Sequence, residues 1–151
     1  KELGGGAIRT LSHELDLMIH WFGKPTSVIG LTDKISPLEI DTDDFAFFTC
    51  QTSTGARVNF ELDFFSPEIV NLGEIYTEQG RYSWDLQSMK FTSYAKAEES
   101  HEIMRFEESL YSEMYMKQAK DFISFLKTGE SINANYNEAV QVLELIEKID
   151  V

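Results

Sequence analysis

The sequence predicts an α+β domain, an open and mostly antiparallel sheet with helices packed on one face. Three observations predict it. Apolar residues recur at helical spacing near the start of the chain, alternate singly through its middle, and return to helical spacing at its end. That order, helix then strands then helices, segregates the two kinds of element, as α+β domains do and alternating α/β folds do not.

The elements follow in turn. Over 7–22, Ile8, Leu11, Leu15, Met18, Ile19 and Phe22 form one apolar stripe and predict a helix. Gly23 closes it and Pro25 prevents its resumption. A short strand is expected over 27–32. An acidic loop over 36–44, carrying Glu39, Asp41, Asp43 and Asp44, is expected to face solvent. Segments 45–52 and 56–65 flank Ser53-Thr54-Gly55, a hairpin signal. In the second arm Val58, Phe60, Leu62 and Phe64 alternate with Arg57, Asn59, Glu61 and Asp63, which describes a strand with one buried face. Segments 74–76 and 81–86 read as a strand pair turning at Gln79-Gly80, and 90–94 as a further strand. Helices are expected over 111–127, with Tyr111, Met114, Tyr115, Phe122, Phe125 and Leu126 as the apolar face, and over 137–149, with Ala139, Val142, Leu143, Ile146 and Ile149.

Composition bounds the function. A chain of 151 residues fits one domain and needs no staple to hold a core. With 13 basic and 26 acidic residues the net charge is −13. Such a surface repels phosphate backbones and anionic lipid, so neither nucleic acid nor a membrane is expected as a partner. Cys50 is the single cysteine, which excludes an internal disulfide and a thiolate metal cage and fits a reducing, cytoplasmic setting.

One face of the first helix carries the chemistry. Arg9, His13, Asp16 and His20 step by four, three and four, so they stack along one side of a continuous helix. Histidine is the side chain whose ordinary pKa suits proton transfer near neutral pH. Asp16 is placed to orient the His13 ring. Arg9 either pairs with Glu2 or Asp16 or clamps a carboxylate or phosphate. His20 reads as a surface or interface residue. A metal site from His13, Asp16 and His20 lacks a fourth ligand and is not expected. Cys50 is expected to be an inert buried thiol.

Gly4-Gly5-Gly6, then a helix with His13 and Asp16 three residues later, resembles the start of the C-terminal domain of the glucose–fructose oxidoreductase / inositol dehydrogenase / MocA family. The segment 73–86 is similar to that family's later strand pair, and 115–129 with 137–149 to its closing helices. The resemblance implies a fold like the C-terminal domain of glyceraldehyde-3-phosphate dehydrogenase. It also implies that residues 1–151 form the substrate-binding and oligomerisation half of an NAD- or NADP-dependent oxidoreductase, with a Rossmann domain that precedes this sequence. A secondary alcohol or ketone of a sugar, sugar derivative or cyclitol would be the substrate. His13 would be the catalytic residue, with Arg9, Thr10 and Asp16 binding substrate. The open sheet would pair with a second subunit, and the chain alone would be inactive. Related sequences carry an aspartate three or four residues before the histidine, where this sequence has Thr10 and Arg9. That departure keeps a second reading open, a non-catalytic dehydrogenase-like binding or scaffold domain.

Overall fold

A computed structural model describes residues 5–107, 109–130 and 136–149. The chain divides into two compact units, Lys1–Phe65 with Asn133–Val151, and Ser66–Ile132. Every strand pairing in both is antiparallel, and the α+β class stands.

The first unit holds helices α1 (Ala7–Thr10) and α2 (Ser12–Phe22) and strands β1 (Pro25–Asp33), β2 (Phe45–Thr52) and β3 (Arg57–Asp63). The strands form a sheet in the order β1-β2-β3. The last helix, Tyr136–Ile149, belongs to the same unit and packs on α2 and β1, while α1 lies against β2 and β3. Strand alternation explains the packing: Ala46, Phe48, Cys50 and Thr52 of β2 are buried while Phe47, Thr49 and Gln51 are exposed. The inward residues meet Ile8, Leu15, Met18 and Ile19 from the first two helices and Val142, Leu145, Ile146 and Ile149 from the last. Phe48 has no exposed surface and stacks on Phe60 with ring centroids 4.7 Å apart.

Three expectations are corrected in this unit. The helix over 7–22 is broken at Leu11, whose φ of −94° and ψ of 22° interrupt the helical path. Here the Glu14 amide donates to the Leu11 carbonyl three residues back, a tighter turn than the α-helical one. The last helix buries Val142, Ile146 and Ile149 as expected, but it buries Leu145 and leaves Leu143 and Ala139 exposed. The acidic loop does not face solvent throughout, because Asp44 is wholly buried and Asp43 half-buried.

The second unit is a four-stranded meander, β4 (Leu72–Tyr76), β5 (Gly80–Asp85), β6 (Lys90–Ala95) and β7 (Ser100–Arg105), followed by helix α3 (Ser109–Thr128); the Tyr136–Ile149 helix is α4. β7 was not expected. The Trp84 indole lies across Gly73, where a Cβ would come within 2.1 Å of it. On α3 the apolar residues Met114, Tyr115, Phe122, Phe125 and Leu126 are exposed. The Tyr111 side chain, Glu2 and Gly4 lie outside the described residues.

Candidate functional site

The site begins at two glycines. Gly5 and Gly6 hold φ of +110° and +100°, a region open to glycine and strained for other residues. Gly6 is also hemmed in, because a Cβ there would sit 2.0 Å from Oδ1 of Asp43. The chain then makes the single turn α1, turns at Leu11, and enters α2. Glu14 in the first turn of α2 suits the positive end of the helix dipole. Gly23, with φ of +78°, ends α2 while its amide donates to the Ile19 carbonyl at 2.8 Å.

The break at Leu11 separates the expected residues into two groups. Arg9 and Thr10 stand on α1, and His13, Asp16 and His20 on α2. All five are exposed. The carboxylate that meets His13 is that of Glu14, the next residue, with Nε2 and Oε1 3.3 Å apart. Asp16 was expected in that place. The His13 side chain keeps 63% of its surface free, so the ring can reach a molecule brought against α2. Buried neighbours hold the helix beneath it: Leu15, Met18 and Ile19 are each at most 5% exposed.

Sequence reasoning missed the support under α1. The Asp43 carbonyl accepts the Ala7 amide at 3.1 Å, and its carboxylate accepts the Ile8 amide at 3.4 Å. Asp44 anchors this stretch. Its carboxylate accepts the Ile35 amide at 2.8 Å, the Ser36 amide at 3.1 Å and the Lys34 ammonium at 2.9 Å, and it meets the Ser36 hydroxyl. Its backbone donates to Asp33 and accepts from Phe64, each at 3.0 Å. Burial pushes the Asp44 carboxyl up, but the Ser36 and Lys34 side chains and the two amides outweigh it and hold it well below the usual carboxylate range. The adjacent Asp-Asp pair just before a strand is the local signal; its partners are up to 35 residues away and cannot be read from spacing.

Cys50 is buried, and burial raises its thiol pKa. Among the described residues no three His, Cys, Asp or Glu side chains are grouped to hold a metal. No described helix is long and apolar enough to cross a membrane. A concavity of about 220 Å3 in the second unit is lined by Glu74, Ser83, Trp84, Asp85, Lys90 and Thr92 among others.

Comparison with known proteins places the chain. The profile of the GFO/IDH/MocA C-terminal domain matches residues 1–90. No curated protein sequence matches significantly. Among solved structures, UDP-N-acetylglucosamine 3-dehydrogenase GnnA from Acidithiobacillus ferrooxidans is similar, with a TM-score of 0.73 and 17% identity over 91% of this chain and 44% of that one. GenD2 from gentamicin A biosynthesis, solved with NAD, gives a TM-score of 0.73 and 24% identity over 95% of this chain and 44% of its own. The WlbA dehydrogenase from Bordetella pertussis, solved with NADH and UDP-GlcNAcA, gives 0.69 and 16% over 96% and 44%. The chain therefore spans less than half the length of these proteins. The structures share its fold and the profile covers more than half of its sequence: the chain belongs to the GFO/IDH/MocA C-terminal domain family.

Proposed function

We propose that this chain is the substrate-binding and subunit-pairing half of an NAD(P)-dependent oxidoreductase acting on a secondary alcohol or ketone of a sugar, sugar derivative or cyclitol. The observation that carries the reading is an exposed histidine on a firmly seated helix, just after the glycine pair, in a chain of this family. A Rossmann domain ahead of Lys1 completes the enzyme, and the open sheet pairs with a second subunit in the cytoplasm.

The sequence contains no dinucleotide fingerprint, so these residues fit the face turned toward a cofactor held elsewhere. The nicotinamide, when bound, accepts or returns a hydride. His13 takes the alcohol proton as the carbon is oxidised and returns it in the reverse direction. Glu14 steadies the imidazole, its Oε1 lying 3.3 Å from Nε2. Arg9 and Thr10 bind substrate, the former through anionic groups and the latter through hydroxyls. Asp16, exposed one turn along α2, takes a substrate hydroxyl.

The test uses the full-length protein. NADH and NADPH titrations are expected to show binding well below millimolar, and a protein that binds neither refutes the reading. His13→Ala is expected to lower turnover by about 10²–10⁴-fold with unchanged stability. Wild-type rates would remove His13 from the mechanism. Thr10, in place of the family's acidic residue, favours the alternative of a non-catalytic binding or scaffold domain. Nicotinamide binding without turnover of free hexoses, myo-inositol or UDP-N-acetylglucosamine would favour it.

A further inference from the structure

The helix α1 is a single turn of four residues. A helix of that length has no stability of its own, since isolated helices are marginal in water below about 12–15 residues. Its N-cap residue, Gly6, has no side chain to cap it. Its placement therefore depends on ties from elsewhere. Ala7 and Ile8 supply part of the answer by being fully buried. The remaining ties come from Asp43, which takes the Ala7 amide on its carbonyl and the Ile8 amide on its carboxylate. These amides are otherwise orphan donors at a helix start. The bare Gly6 makes the approach possible, because any side chain there would occupy the carboxylate's space.

Asp43 is itself immobilised by its neighbour. Asp44 ties the ends of β1 and β3 through its backbone, and through its carboxylate it gathers Lys34, Ile35 and Ser36. A rigid sheet end thus continues through Asp44 and Asp43 into the turn that carries Arg9 and Thr10. By contrast, α2 is seated by its own buried residues, Leu15, Met18 and Ile19.

We infer that Asp43, clamped by Asp44, is a positioning residue for Arg9 and Thr10, and that it acts on substrate affinity separately from the proton transfer at His13. This rests on the reading above, in which Arg9 and Thr10 touch the substrate. The separation makes the inference testable, because loss of Asp43 should disturb α1 and spare α2.

The experiment measures KM and kcat for full-length Asp43→Ala, Asp43→Asn and Arg9→Ala, using the best turned-over of free hexoses, myo-inositol and UDP-N-acetylglucosamine. Amide hydrogen exchange at Ala7 and Ile8 is followed in the same proteins. Asp43→Ala is expected to raise KM by about tenfold, leave kcat within about twofold, and speed exchange at both amides. Asp43→Asn keeps an acceptor for the Ile8 amide and is expected to restore most of the affinity. Unchanged KM in Asp43→Ala, where Arg9→Ala raises it, overturns the inference. So does a fall in active enzyme with KM unmoved, the mark of a merely structural role. Where Arg9→Ala also leaves KM unchanged, or no alcohol is turned over, the underlying functional reading fails and the inference falls with it; the exchange data still show whether Asp43 holds the turn. Should Asp43→Ala not fold, Gly6→Ala pushes the same carboxylate aside, and an unchanged KM there overturns the inference equally.

Discussion

Replacing Gly6 by alanine probes the junction by two separable routes. The first is backbone strain. Gly6 has φ of +100° and ψ of 160°, a region reserved almost wholly for glycine, and forcing alanine into it costs about 1–3 kcal/mol. The second is steric. The new Cβ would lie 2.0, 2.5 and 2.6 Å from Oδ1, Cγ and Oδ2 of Asp43, all closer than real contacts allow. The carboxylate must move, which gives up the Ile8 hydrogen bond at a cost of roughly 0.5–1.5 kcal/mol. The two routes together predict a loss of about 2–4 kcal/mol. Gly5→Ala isolates the first route, since its Cβ would meet only Thr42, at an ordinary 3.5 Å. It is expected to cost less than Gly6→Ala. In Gly6→Ala/Asp43→Ala the steric conflict is gone, so the double variant should be more stable than the summed single losses by about 1 kcal/mol. Urea denaturation followed by circular dichroism reads the parent, the three single variants Gly5→Ala, Gly6→Ala and Asp43→Ala, and the double variant. Strict additivity, or a Gly6→Ala protein as stable as the parent, refutes the geometry argued for this junction.

Three further outcomes are expected. Phe48→Ala removes a wholly buried ring stacked on Phe60 and should cost about 3–5 kcal/mol in urea denaturation; a loss under about 1 kcal/mol would show that the core closes around the gap. Asp44 titrates lower in the folded chain than in the unfolded one, so between those values the unfolded chain binds more protons and stability rises with pH. That contribution is complete above the ordinary carboxylate range and fades as pH falls below about 4. Asp44→Asn should therefore be less stable at neutral pH and show a flatter acid limb, and an unchanged limb would mean that Asp44 carries none of it. The Lys24 ammonium lies 2.9 Å from Glu144 and holds that carboxyl below its ordinary range. In Lys24→Met an NMR titration should find Glu144 returned toward that range; no movement would show that the pair is not populated in solution.

Much of the architecture was legible because it rests on local period. Strand β3 stands where alternation put it, β2 and β5 where the turn signals at Ser53-Thr54-Gly55 and Gln79-Gly80 put them, and Gly23 ends α2 as its φ requires. The failures share a cause, which is that distant contacts decided them. Leucine is a good helix former, and nothing around Leu11 announces a break; the turn follows from α1 being tied to residues 35 positions away. Strand β7 escaped notice because the turn before it uses Glu99 at φ of +48°, where a glycine would have signalled it. On α4, Leu143 and Leu145 both fit a helical stripe, and contact with β1 and α2 chose the latter. Among the candidate residues, spacing put Asp16 beside His13, whereas in the structure the Glu14 carboxylate meets its ring, a side-chain placement that periodicity does not encode. Asp43 and Asp44 looked like charges for solvent because their donors, the Ile8 and Ile35 amides, carry no sequence signal.

The turn at Leu11 has an evolutionary corollary. On one unbroken helix, every residue added, lost or re-aimed near Arg9 would swing His13 as well, by about 100° for each residue of register. With the two segments hinged apart and separately moored, mutation can remodel the side chains on the first without re-aiming those on the second. On the proposed reading of the site, such a scaffold diversifies its choice of molecule while His13 keeps its place.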